Sequence, residues 1–116
     1  MNSHPNSYDG SCLTVRIAGD LVSTTVEALR KEANGVLDGV GESIARGGCF
    51  KLDLTAAAMV DSAGLNLVVT LLKRAQMRGM KMQIAYTDAN LLRTFIFTRL
   101  DQHIELVKVA IGKAAN

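Results

Sequence analysis

The feature that most constrains this chain is a change of rhythm that recurs along it. Apolar residues repeat at every second position, then at every third or fourth, then at every second again. "SCLTVRIAG" sets Leu13, Val15 and Ile17 against Cys12, Thr14 and Arg16, the period of a half-buried strand. "STTVEALRKEANGVL" carries Val26, Leu29, Ala33, Val36 and Leu37 on one helical stripe. Ser23 or Thr24 can cap that helix, with Glu27 at capping-box distance from Thr24. "CFKLDLT" reads as a short buried strand. Leu65, Val68, Val69, Leu71, Leu72 and Ala75 then form a long apolar helix in which Leu65, Val68 and Leu72 are expected to face the sheet. Lys73, Arg74 and Arg78 near its carboxyl end suit the helix dipole, and Gly79 stops it. "MKMQIAY" is the next strand. "ANLLRTFIFTRL", capped by Asp88, is a helix with Leu91, Leu92, Phe95 and Leu100 available to pack, and "HIELVKV" is the last strand. Strands that alternate with helices need crossover connections, so the sheet is largely parallel and the class is α/β.

At 116 residues the chain is one domain, able to bury about two-thirds of its unfolded surface. Residues 1–10 are polar, lack the apolar core of a signal peptide, and read as a flexible lead-in to a domain over 11–116. The tail "AIGKAAN" reads as frayed. A net charge of +2, with no basic stripe interleaved with aromatics, argues against nucleic acid. No apolar run is long enough to enter and span a bilayer. Cys12 and Cys49 lie far apart with no ligand-spaced partner, and read as buried thiols in a reducing cytoplasm.

The chemistry concentrates at "MVDSAGLNLVV", Met59 to Val69, where one apolar run stops and another begins with a helical period. Ser62 falls at the turn between them. As a nucleophile it would need a nearby base. The histidines are His4, in the lead-in, and His103, after the third helix, while Lys73 lies about three turns down the same helix. Val60 breaks the G-x-S-x-G pattern of a nucleophile elbow. No phosphate-cradling glycine motif occurs, so Gly64 is not part of one. Two readings of Asp61 and Ser62 remain. They can be a plain helix cap, or Ser62 can accept a phosphate, because a helix start offers free N–H groups and partial positive charge.

The chain resembles a STAS domain of the anti-sigma factor antagonist kind, from "LTVRIAGDL" through "KLDLTAAAMVDSAGL" and "RGMKMQIAYTDANLLRTFIF" to "LDQHIELV". The most specific match is "DSAGL", and Gly19, Asp20 and Leu21 match the family's early turn. The resemblance implies one compact domain with a four- to five-stranded mixed, largely parallel sheet covered by three to four helices. It implies a non-catalytic switch without cofactor or metal, phosphorylated at Ser62. Its implied partners are an anti-sigma factor that is an ATP-binding serine kinase, and a PP2C-type phosphatase. The expected partner-binding residues are Asp20, Ser23, Asp61, Ser62, Ala63, Gly64, Asn66, Ile96 and Phe97. "FIF" belongs among them because three successive helical residues cannot all point inward. The sequence departs from the family pattern at Val22, where antagonists often carry aspartate, at Ala63, and at Arg99, which stands at a glycine position. An unphosphorylated accessory or scaffold subunit of a transporter or regulatory complex is the alternative.

Overall fold

The computed structural model describes residues 12–39 and 48–109. The expected lead-in, most of the glycine-rich stretch after the first helix, and the tail from 110 onward lie outside the described residues. Among the described residues four strands alternate with three helices: β1 (Cys12–Arg16), α1 (Val26–Gly39), β2 (Cys49–Leu54), α2 (Ser62–Met77), β3 (Lys81–Tyr86), α3 (Ala89–Phe97) and β4 (Glu105–Lys108), with a 3-10 turn at Leu100–Gln102 before the last strand. The strands pair in chain order, β1-β2-β3-β4, and every described pairing is parallel. Parallel neighbours require crossover connections, and crossovers of one hand stepping the same way put their helices on one face.

The burial pattern fits that arrangement. The register aligns Leu13 with Phe50 and Met82, and Val15 with Leu52 and Ile84, and all six side chains are buried. The intervening rows, Thr14–Lys51–Gln83–Glu105 and Arg16–Asp53, put polar groups on the opposite face, where Arg16 pairs with Asp53 at 3.3 Å. The helices supply Val26, Ala33, Leu37, Leu67, Val68, Leu71, Leu72, Ala75, Leu91 and Phe95 to the core. Among the described residues no charged side chain is fully buried. No described helix is long and apolar enough to cross a membrane.

Three sequence expectations change. The face of α2 turned to the sheet is centred on Leu67, Val68 and Leu71 and includes Leu72, whereas Leu65 is only partly buried. The expected stripe of Leu65, Val68, Val69, Leu71, Leu72 and Ala75 is replaced by one of Gly64, Leu67, Val68, Leu71, Leu72 and Ala75, with Leu65 and Val69 at its margin. Neither Ser23 nor Thr24 caps α1. The hydroxyl that organises the turn belongs to Thr25, which accepts from the Val22 N–H at 3.1 Å and lies within 2.9 Å of the Asp20 carbonyl. The third correction concerns the cysteines. Cys49 is disulfide-bonded rather than a buried thiol. The parallel register sets Cys12, the chain's other cysteine, directly across from it. Adjacent strands lie about 4.8 Å apart, inside the Cα range that a disulfide accepts.

Candidate functional site at the start of the second helix

The site forms where β1 runs into the turn at Gly19–Ser23 and β2 runs into α2. A single parallel bridge, Leu21 to Val60, joins the two segments beyond the ends of their strands. Around it the Leu21 N–H donates to the Met59 carbonyl at 3.0 Å, and the Asp61 N–H donates to the Leu21 carbonyl at 3.2 Å. Two carboxylates complete the join. Asp20 accepts from the N–H groups of Ala58 and Met59, at 2.8 and 3.1 Å. Asp61 accepts from the Ser23 N–H with one oxygen and from the Gly64 N–H with the other, both at 2.9 Å. Asp61 therefore caps α2 and also clamps the first turn onto it. These N–H donations, Gly64 first and then Ser23, hold the Asp61 carboxyl below its ordinary value.

The geometry settles which side chain is the cap. Asp61 is the cap, and Ser62 is the first residue of the helix proper. Ser62 is exposed, and its hydroxyl has no hydrogen-bond partner among the described residues. Gly64 explains itself by contact. A Cβ there would stand 2.1 Å from the Leu21 carbonyl oxygen and 2.9 Å from its carbon, so any side chain would force the turn and the helix apart. Gly19, the other glycine of the motif pair, has open space around it.

The remaining expected residues fall as follows. Ala63 is partly buried against the core, and Asn66 is exposed one turn beyond Ser62. On α3, Asp88 caps the helix by accepting from the Asn90 N–H at 2.8 Å. Phe95 is fully buried, whereas Ile96 is 50% and Phe97 87% exposed. These two line an open groove of about 640 Å³ with Leu65, Arg93, Thr94 and Thr98. Leu65 is three residues beyond Ser62, on the same side of α2. The groove thus adjoins the serine, and the sequence missed it by placing Leu65 in the core.

The site lacks the machinery of a hydrolase among the described residues. His103 borders Leu72 and Gln76 in the last turns of α2, at least ten residues, or about 15 Å, along the helix from Ser62. No group of three or more His, Cys, Asp or Glu among the described residues could hold a metal. What the arrangement offers is an exposed hydroxyl at a helix start, fixed by a rigid turn and flanked by apolar surface.

The comparisons with known proteins agree with this architecture. A crystal structure of a candidate anti-sigma factor antagonist from Thermotoga maritima superposes with a TM-score of 0.68, at 18% identity, over 90% of this chain and 82% of that one. At that identity the likeness carries the fold alone. No curated protein is found to match the sequence. The profile of the STAS domain matches residues 7–114, nearly the whole length, and the chain belongs to the STAS domain family.

Proposed function

We propose that this STAS domain is an anti-sigma factor antagonist, a non-catalytic switch of the bacterial cytoplasm that acts on transcription by holding an anti-sigma factor. Unphosphorylated, it binds the anti-sigma factor through the surface around Ser62 and so frees a sigma factor. The bound partner, itself an ATP-dependent serine kinase, transfers phosphate to Ser62 and dissociates. A PP2C-type phosphatase restores the hydroxyl. The observation that carries this reading is the division of labour at the helix start. Capping is done by Asp61, which leaves the Ser62 hydroxyl exposed and without a partner. Phosphoserine adds about −1.5 to −2 charges, and an interface closed over this position would have to desolvate them. Asp20, Ser23, Asp61, Ala63, Gly64 and Asn66 build or surround the surface, with Ile96 and Phe97 extending it.

The test is titration calorimetry of wild type, Ser62→Ala and Ser62→Asp against the kinase partner, with and without ATP. Wild type should bind and be released by ATP, with phosphate found on Ser62 by mass spectrometry. Ser62→Ala should bind and stay bound, and Ser62→Asp should bind more weakly. Equal affinities for all three, unmoved by ATP, would sink the switch. They would support the second reading, an accessory or scaffold subunit that is never phosphorylated. One observation favours that alternative: Val22 brings no carboxylate to the turn where antagonists often carry one, and its N–H is taken up by Thr25.

A further inference from the structure

Arg99 adopts φ 63° and ψ 17°, and it is the one non-glycine residue with positive φ among the described residues. That left-handed conformation is where a helix normally ends on glycine, which adopts it without steric penalty. An arginine held there gives up backbone stability relative to glycine, even with its N–H bonded to the Ile96 carbonyl and its carbonyl to the Gln102 N–H. Arg99 is exposed, and no carboxylate lies within ion-pair distance among the described residues.

The other arginines sharpen the contrast. Arg16 pairs with Asp53, Arg30 with Glu27, and Arg74 and Arg78 both with Asp38. Among the described arginines only Arg93 and Arg99 lack a carboxylate, and Arg93 donates to the Asn90 side-chain oxygen at 3.0 Å. Both belong to the segment that forms one side of the apolar groove. Arg93 lines the apolar groove of Leu65, Ile96 and Phe97, and Arg99 follows Thr98, another of its lining residues. No acidic residue lines the groove.

We infer that this groove receives an acidic amphipathic segment of a partner protein. Apolar side chains of the segment seat against Leu65, Ile96 and Phe97, and its carboxylates meet Arg93 and Arg99. The charge complementarity selects the occupant, because an apolar floor beside two guanidinium groups that lack a carboxylate matches a segment that alternates leucine-like and acidic residues. Two cations are too few to track a nucleic-acid backbone. This rests on the reading of the Ser62 surface as a protein-docking surface, and it adds a reason for release. Leu65 is a neighbour of Ser62 on one helix face, so a phosphate on Ser62 stands close to the partner's carboxylates and repels them.

The experiment uses synthetic peptides and no kinase, so its failure is distinguishable from failure of the Ser62 switch. Three helical peptides share one leucine pattern, with Glu, Gln or Lys at the flanking positions. Binding is read by fluorescence anisotropy at two salt concentrations and located by amide chemical shifts. The Glu peptide should bind most tightly, lose affinity as salt rises, and move the resonances of Leu65, Ile96 and Phe97. Arg93→Gln and Arg99→Gly should each weaken it by about twofold to fivefold, the range of an exposed ion pair. Arg99→Gly should also melt at a higher temperature than wild type, which separates lost binding from lost folding. The proposal is overturned if Glu and Gln peptides bind alike or not at all, or if the shifts map elsewhere. Binding by phosphatidylglycerol vesicles instead of the Glu peptide, or Arg99→Gly leaving affinity unchanged, would also overturn it.

Discussion

At the scale of single residues, the informative atoms are two carboxylates that hold backbone N–H groups. Asp61 accepts from Gly64 and Ser23, which keeps its carboxyl below the ordinary range. Asp53 is also lowered. Burial pushes it up, but the Thr55 hydroxyl and N–H, and then Arg16, outweigh that. A carboxyl whose folded value is depressed adds stability above its unfolded value, near 3.9, and that contribution is lost as pH falls through the folded value. Melting temperature should therefore fall steeply between about pH 4 and pH 2, and Asp61→Asn should make that fall shallower. A slope unchanged in Asp61→Asn would show that the clamp does not couple to folding. Asp61 as the cap is a detail the sequence left open, because Asp and Ser are both good caps. Choosing between them required knowing that the Ser23 N–H arrives beside Asp61 from a distant part of the chain. Ser62→Ala, which removes no cap, should leave stability within about 0.5 kcal/mol of wild type.

At the scale of elements, the alternation of periods was sufficient to place every described strand and helix in order. Strong signals mark their ends: Asp88 before α3, and Gly79, at φ 76°, after α2. The facing of α2 was less legible. Its apolar positions run nearly round the helix, so several stripes fit, and the one chosen put Leu65 inward. The actual centre is Leu67, fully buried under the first helical turns. Leu67→Ala should lose about 2–5 kcal/mol, as buried large-to-small changes do. Leu65→Ala, on the half-exposed side, should lose only about 1 kcal/mol. Chemical denaturation of both variants checks the register, and equal losses would return Leu65 to the core. The exposure of Ile96 and Phe97 was readable for a simple reason. Three successive bulky residues on a short helix cannot share one buried face, and Phe95 takes it.

At the scale of the whole molecule, the parallel sheet carries helices on one face and a polar row on the other. The disulfide at Cys49 belongs to this scale, since it depends on register between strands that lie far apart in sequence. Spacing along the chain says nothing about register, which is why the cysteines read as free thiols. The chain has one other cysteine, at position 12, and a bond between the two would close a long loop through α1. Loop-closure entropy gives such a bond about 4 kcal/mol. Reduction by dithiothreitol should then lower the melting temperature by about 10–15 °C and expose two alkylatable thiols. Two thiols titrated without reductant would contradict the bond. The all-parallel order has a practical consequence for anyone who labels or fuses this domain. Every described strand points from one rim of the sheet to the other, and the rim it points to is where β2 hands over to Ser62. The chain thus enters the sheet at the rim away from the serine, at Cys12, and leaves it beside the serine, at Lys108. A fluorophore placed at the start of β1 therefore sits on the rim far from Ser62, whereas one placed at the end of β4 sits on the rim that carries it.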